Sequence, residues 1–237
     1  MKKTAGKYVG INQRVPFVIL DAALYSYLNE GNVQREDVRN HLKEFFKGEN
    51  RIGKASGYLS QMFKKNKEHI TRLSGQIKAS DYIKLPEGDR YAFLLCILAL
   101  TYPITYDLLL ALASGFKVQT VLSSKYFTHK MTALYGSNRS VYNAVAAIIP
   151  MLIDIRVISR KKTGLYSIGE RLAVTHPFIS EFIVCTDIKL SGSKSILLDD
   201  IRHRPWYMFF EINFGRRAKY QLLKFSESRL GQGYLRI

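Results

Sequence analysis

The fold prediction depends most on residues 137–168, SNRSVYNAVAAIIPMLIDIRVISRKKTGLYSI. In the first half of this stretch, apolar residues recur every three or four residues, at positions 141, 145, 148, 149, 152 and 155. This spacing predicts a helix with one buried face, and Ser137 or Asn138 can cap its start. Pro150 predicts a bend or a division, because a proline inside a helix removes one backbone hydrogen bond.

The second half of the same stretch predicts a β-hairpin. Two short strand-like runs, RVISR at 156–160 and LYSI at 165–168, bracket the sequence KKTG. Gly164 can adopt the positive φ that a tight turn requires. A further helix is predicted upstream, and the order helix, helix, hairpin is typical of a winged helix.

The outer face of the predicted late helix and the hairpin tip carry candidate nucleic-acid contacts. Arg139 and Asn143 lie near the helix start, where such side chains can bind base edges in the major groove. The cations Arg160, Lys161 and Lys162 are expected at the hairpin tip, in contact with phosphates. The remaining residues expected on the outer face are Ala146, Ala147, Pro150 and Asp154.

The chain upstream of residue 137 reads as helices joined by short breaks. Three are predicted before Gly75: one over Val18–Leu28 that ends near Gly31, one capped by Asn32 and ended before Gly48, and one through Leu59–Leu73. A polar stretch at 74–89 is the predicted linker. The helices predicted after it are a buried one at Tyr91–Tyr102, one after Pro103, and one capped by Ser123 or Ser124 that ends at Tyr135.

The C-terminal segment mixes aromatic residues with cations. Met208, Phe210, Ile212 and Phe214 alternate with other residues, which predicts a strand with one buried face. Trp206 is expected to pack on the helical body, since large apolar side chains are usually buried. The flanking cations form a second expected phosphate-binding patch: Arg202, His203, Arg204, Arg216, Arg217 and Lys219.

These patterns together predict a mainly α protein with small β-hairpins. Three segments are expected: a helical N-terminal unit at 1–85, a winged-helix-like module at 86–180, and a basic, aromatic C-terminal segment at 181–237 that packs on the body.

The overall charge favours a polyanionic partner. The 237 residues include 36 lysines and arginines against 19 acidic residues, a formal charge of +17. Between Lys117 and Lys162 there are eight cations and one acid, Asp154. Nucleic acid is the first candidate partner, and an anionic membrane surface or an acidic protein are the others.

Composition also bears on the compartment. The two cysteines, Cys96 and Cys185, are expected to be free thiols in a reducing cytoplasm. The apolar run YAFLLCILALTY at 91–102 is too short to cross a bilayer, so no membrane insertion is expected.

Candidate catalytic or metal-binding groups are few. The five histidines are scattered, so no zinc site and no cofactor are expected. The adjacent Asp199 and Asp200 could bind Mg²⁺ in a nuclease, although a polar turn or helix start explains them more simply. The sequence therefore predicts a protein that is not an enzyme.

The order of these features resembles a known family. The segments ENRIGKASGYLSQMFKKNKEHITRL, YAFLLCILAL, FTHKM and NRSVYNAVAAIIPMLIDIRVISRKKTGLYSI occur in an order similar to that in the small helical accessory protein A of BREX phage-defence systems, over about Val18–Val184. The resemblance implies a non-enzymatic protein that binds double-stranded DNA beside larger defence proteins, including a methyltransferase and ATPases. It also implies contacts from a basic helix bearing Lys64, Lys65, Lys67 and Arg72, and from Arg139 and Asn143.

The sequence thus predicts a double-stranded DNA-binding protein. Three alternatives stay open: a scaffold that docks an acidic partner through its aromatic C-terminal segment, an RNA-binding protein, and a nuclease.

Overall fold

The computed structural model describes residues 8–213, 220–229 and 231–237. The protein is mainly helical with small β-sheets, as the sequence predicted. The α-helices are α1 Phe17–Glu30, α2 Arg35–Leu42, α3 Glu49–Lys65, α4 Lys67–Ser74, α5 Ala79–Tyr82, α6 Glu87–Thr101, α7 Ile104–Phe116, α8 Ser124–Tyr135, α9 Arg139–Asp154 and α10 Pro177–Ser191. The strands are β1 Val121–Ser123, β2 Ile158–Lys162, β3 Leu165–Ile168, β4 Leu172–Ala173, β5 Ile196–Leu197, β6 Phe210–Glu211, β7 Lys224–Glu227 and β8 Gly233–Arg236.

The first helices follow the predicted order, but some of their boundaries differ. Helix α1 ends at the predicted Gly31, which adopts a left-handed conformation. Asn32 does not cap α2, which starts after Gln34. The predicted third helix is two helices, because Asn66 leaves the helical region and its buried amide donates to Met62 O (2.9 Å) and Thr101 Oγ1 (2.8 Å). That hydrogen bonding stabilises the break.

The stretch at 74–89 packs on the body of the protein. Ile77 and Tyr82 are buried, and Tyr82 Oη donates to Asp21 Oδ1 of α1 at 2.6 Å. Buried side chains from all three predicted segments belong to one hydrophobic cluster. The division of the chain at residues 85 and 180 stays a prediction.

Helix α6 is the centre of that cluster. Its side chains from Ala92 to Ala99 are buried, as predicted for this apolar run, and it contacts α1, α3, α7 and α10. Among the described residues no single helix is long and apolar enough to cross a membrane. The pair α6 and α7 reaches that length and composition jointly, with a bend of 115° between them.

Helices α7, α8 and α9 pack beside a three-stranded antiparallel sheet of order β1-β3-β2. Ser123 Oγ accepts from Tyr126 N and Asn138 Oδ1 accepts from Val141 N, so α8 and α9 each have a predicted cap. Helix α9 runs without division through Pro150. The β2–β3 hairpin is confirmed, with Gly164 at φ +74°. Strand β1 was not predicted, because three residues are too few to show a period.

Over the described residues 208–213, the predicted strand is wrong. Residues Pro205–Phe209 form a 3-10 helix, and only Phe210–Glu211 is a strand, which pairs in parallel with β4. The alternation failed because the segment is buried on more than one side: Phe209 and Phe210 are both in the core. Trp206 packs on the body as expected and donates from Nε1 to Ile183 O at 3.2 Å. Phe214 lies outside the described residues.

Three buried carboxylates join segments that are distant in sequence. Asp89 accepts hydrogen bonds from Thr175 and His176, ahead of α10. Asp187 accepts from Tyr106 Oη and from the Arg204 guanidinium. Glu181 Oε2 accepts from three successive backbone N–H groups at 221–223. Each carboxylate is compensated by several donors, which offsets the cost of its burial.

Candidate nucleic-acid interface

The outer face of α9 exposes three of the residues predicted for it and one neighbour. Arg139, Asn143 and Ala146 are exposed, and Tyr142 between them is 49% exposed. Pro150 lies half-buried at the same face. These positions follow one another at three- or four-residue spacing, so they form one continuous strip along the helix.

Two residues predicted for that face lie elsewhere. Ala147 is buried, because its position on the helix is beside Ala144 and Ile148 of the core face. Asp154 faces the start of the chain: its Oδ1 accepts from Arg14 Nη2 at 2.6 Å. The outer strip of α9 therefore carries no carboxylate among its exposed residues.

The three hairpin cations are exposed, but on strand β2 rather than at the tip. Arg160, Lys161 and Lys162 end β2, and the turn itself is formed by Thr163 and Gly164. The Arg160 guanidinium lies over the ring of Tyr166 at 5.8 Å, a cation–π contact that orders it. In the described part of the chain, no ion pair involves any of the three cations.

A groove brings the hairpin and α9 together. It has a volume of about 260 Å³, and its walls include Ser124 and Thr128 of α8, Tyr142, Ala146 and Pro150 of α9, and Arg160 of β2. We call it the α9 groove. The backbone N–H of Ser124 donates to Gly164 O at 2.7 Å, so the hairpin turn is fixed to the start of α8. The cationic strand thus holds a defined position beside the outer strip of α9.

Sequence reasoning missed Tyr142 on this surface and two exposed cations on the neighbouring helix α8. Lys125 and Lys130 are exposed on α8, and Lys130 Nζ lies 5.8 Å from the centre of the Tyr126 ring. They entered only the local count of cations, although their spacing from the buried Phe127 and Met131 could have placed them outside. Tyr142 was missed because an aromatic side chain in an apolar helix is usually buried.

The basic residues implied by the family resemblance do not form one helix. Lys64 and Lys65 end α3, whereas Lys67 and Arg72 belong to α4. All four are exposed, and none of them lines the α9 groove.

These four basic residues also have different neighbours from one another. Lys64 and Lys67 border a cavity of about 290 Å³ beside Tyr27 and Phe63, and Lys65 Nζ lies over the Tyr8 ring at 5.4 Å. Arg72 Nη2 donates to Glu68 Oε1 at 2.6 Å and borders another cavity. These four basic residues therefore lie apart from the α9 groove.

The predicted C-terminal cation patch is only partly described. Arg216 and Arg217, with Lys219, lie outside the described residues. Arg204 is held in a two-point ion pair by the buried carboxylate of Asp187, with Nε and Nη2 at 2.6 and 3.0 Å from its oxygens. That hydrogen bonding raises the pKa of Arg204. Arg204 is thus engaged in the core, which corrects its assignment to a phosphate patch, while Arg202 and His203 are exposed.

The structure also shows where the candidate catalytic and metal-binding side chains lie. Asp199 and Asp200 lie in the first turn of the 3-10 helix Leu198–His203, as the helix-start interpretation predicted. Among the described residues, no three histidine, cysteine or acidic side chains form a group that could hold a metal ion. Both cysteines are free; burial raises the pKa of Cys96, and it raises the pKa of Cys185 to about 12.

No family model, curated protein or solved structure matches the chain. The function is inferred from the arrangement and the charge of the residues themselves.

Proposed function

We propose that this chain is a non-enzymatic protein that binds double-stranded DNA through a winged-helix module formed by α7, β1, α8, α9, β2 and β3. The observation that carries the proposal is the sheet order β1-β3-β2, with three helices in the chain order of a winged helix. In such a module the last helix enters the major groove, and the hairpin lies against the flanking backbone.

The outer strip of α9 is suited to base contacts in the major groove. Its exposed strip consists of one arginine, one asparagine and small or flat side chains, so the helix can approach base edges closely. Arginine and asparagine are the side chains that make paired hydrogen bonds to guanine and adenine respectively. We assign these roles to Arg139 and Asn143.

The hairpin suits phosphate contacts. Arg160, Lys161 and Lys162 are exposed beside the helix, and Lys125 of α8 extends the same positive region from near the groove. A formal charge of +17 adds long-range attraction for a polyanion. DNA is favoured over double-stranded RNA because the major groove of A-form RNA is too narrow for side chains on a helix to read.

The scaffold alternative loses its expected anchor. Trp206, Phe209 and Phe210 of the C-terminal segment are all buried, so these three side chains are not exposed to a partner protein. A role beside the larger proteins of a phage-defence system, which the family resemblance implied, stays a prediction.

The test is fluorescence anisotropy with labelled duplex DNA, single-stranded DNA and duplex RNA at several salt concentrations. If about six cations contact phosphates, log K for duplex DNA will fall with log salt at a slope of about −5. The triple variant Arg160→Ala/Lys161→Ala/Lys162→Ala is expected to weaken binding to all duplexes and to flatten the slope by about 2 to 3.

The matched control is Lys64→Ala/Lys65→Ala/Lys67→Ala, which removes the same charge from the separate α3–α4 surface. We expect a much smaller change in slope from it. Equal losses in the two triple variants would mean that net charge alone drives binding, and an unchanged hairpin variant would remove the hairpin from the mechanism. Absence of duplex binding by the folded wild-type protein at low salt would contradict the proposal.

A further inference from the structure

A second cavity lies away from the α9 groove, between α4, α6, α10 and the C-terminal segment. Its volume is about 260 Å³, slightly below the range of about 300–1,000 Å³ that is typical of small-molecule sites. Its walls are largely apolar and come from Leu100 of α6, Phe182 of α10, and Leu222 and Ile237 of the C-terminal segment. We call it the α4–α10 cavity.

The wall that the C-terminal segment contributes is held in place. Glu181 is buried within α10, and its Oε2 accepts from the backbone N–H of Gln221 and Leu222, each at 2.7 Å, and of Leu223 at 3.3 Å. Three charge-assisted hydrogen bonds to one oxygen fix this part of the backbone. The Leu222 wall of the cavity therefore needs no ligand to hold it in place, which lowers the cost of ordering that wall on binding.

Three basic side chains also line the cavity. Arg72 and His69 of α4 and Lys189 of α10 all contribute to its lining, whereas Glu68 is the single acidic side chain there. Glu68 is already paired with Arg72, and no ion pair in the described part of the chain involves Lys189. Lys189 is therefore available to a ligand.

The pKa of His69 is affected by the charged side chains at the cavity. It packs on Phe182 with ring centroids 4.9 Å apart. Burial lowers the pKa of His69, Lys189 and Arg72 lower it further, and Glu68 opposes them. Burial disfavours a charge of either sign, whereas the Lys189 and Arg72 contributions show that the two cations are close enough to the ring to attract a negative charge beside it.

We propose that the α4–α10 cavity binds a small apolar molecule with one anionic head group, such as a medium-chain carboxylate, with the chain against Leu100 and Phe182 and the head group at Lys189. A volume of about 260 Å³ suits a small ligand rather than a drug-sized one. This site is independent of the proposed DNA surface.

The test uses n-octanoate as the probe on the full chain, with calorimetry for affinity and NMR for the titration of the His69 ring. We expect saturable binding with Kd below about 1 mM. The bound carboxylate should raise the pKa of His69, because a negative charge beside the ring stabilises its protonated form. Neutral n-octanol should bind without raising that pKa.

Two lysine variants separate the head-group contact from general charge. Lys189→Gln should weaken octanoate binding about two- to fivefold and leave octanol binding unchanged. Lys194→Gln removes another exposed lysine, one that does not line the cavity, and it should change the affinity for neither probe.

Leu100→Trp tests the cavity itself, because the larger ring fills the space that the ligand would occupy. It should abolish binding while the circular dichroism spectrum and the thermal unfolding remain those of a folded protein. No saturable binding of octanoate to the wild type, or equal binding by the wild type and Leu100→Trp, would overturn the proposal. Neither result would bear on DNA binding.

Discussion

Among individual residues, those of the α9 surface have roles that follow from their exposure. Asn143 is exposed and lies one residue from Tyr142 and three from Ala146 on the outer strip. The small side chain of Ala146 leaves room on one side for the Asn143 amide to reach a base edge. Arg139, one helical turn earlier, has the same freedom.

Asn143→Ala is expected to reduce sequence preference rather than overall affinity. Losing one paired contact to adenine should cost about 1–3 kcal/mol on a selected duplex and little on a shuffled duplex. The measurement is competitive binding on both duplexes, after selection of a preferred sequence from a random pool. Gln119→Ala, an exposed amide on the loop before β1, is the control. Arg139→Ala should act similarly at a different base. Equal losses on the two duplexes would assign α9 to backbone contacts.

Gly88 illustrates a residue fixed by close packing. A Cβ at this position in α6 would lie 2.3 Å from the carbonyl oxygen of Ala173 in β4. Gly88→Ala should therefore destabilise the protein by about 1–3 kcal/mol, because α6 and β4 must separate.

At Gly57, exposed in α3, an added Cβ would meet no other atom within 4 Å. Gly57→Ala should instead stabilise by about 0.5–1 kcal/mol, as helix propensity improves. Urea unfolding measures both, and the same sign for the two would contradict the packing explanation.

Among the helices and strands, buried carboxylates attach segments that hydrophobic burial alone would leave loosely defined. Glu181 attaches the backbone at 221–223 to α10, and Asp187 attaches the 3-10 helices through Arg204. Strands β7 and β8 follow the first of these points along the chain, and β8 pairs with both β7 and β5. The C-terminal segment is therefore positioned by α10.

Glu181→Gln should release the 221–223 backbone. The neutral amide oxygen is a weaker acceptor than the carboxylate, and its NH₂ group cannot accept, so we expect a loss of about 1–3 kcal/mol in unfolding free energy. Hydrogen exchange at residues 221–223 should speed up before the rest of the protein is affected. The control Glu170→Gln removes an exposed carboxylate after β3 and should change the unfolding free energy by no more than about 0.5 kcal/mol. Unchanged exchange in Glu181→Gln would show that these hydrogen bonds contribute nothing.

For the molecule as a whole, folding lowers the pKa of two histidine side chains. Burial lowers the pKa of His69 and of His176 below the ordinary 6.5. Near His69, Lys189 and Arg72 lower the pKa further and Glu68 raises it; near His176, Asp89 raises it. In both cases the folded ring binds fewer protons than the unfolded chain near neutral pH.

Stability should therefore fall as the pH drops below about 6.5, where the unfolded chain begins to take up these protons. Each ring contributes up to about 1.4 kcal/mol per pH unit until its folded pKa is reached. Urea unfolding between pH 7.5 and 5.5 measures the slope, and His69→Gln/His176→Gln should flatten it. His41→Gln, at an exposed histidine, provides the matched control for the substitution itself. An equally steep slope in the double variant would place the effect in other groups.

Much of the helical framework was predictable from sequence. The apolar period of α9, its Asn138 cap and the Ser123 cap of α8 are local, since each depends on residues within a turn or two. The hairpin at Gly164 was predictable because its turn is encoded by the residues at the turn. The break at Asn66 was not, because the hydrogen bond that stabilises it goes to Thr101 of another helix.

Most helix positions, the hairpin, the burial of Trp206 and the positive charge of the protein thus follow from the order of the amino acids. The folded arrangement was needed to show that β1 pairs with β3, that Arg160 lies beside the outer strip of α9, and that Arg204 belongs to a buried ion pair. The physical reason is separation along the chain. Periodicity and capping report interactions between near neighbours, whereas strand pairing, grooves and buried ion pairs join residues that are brought together only by packing.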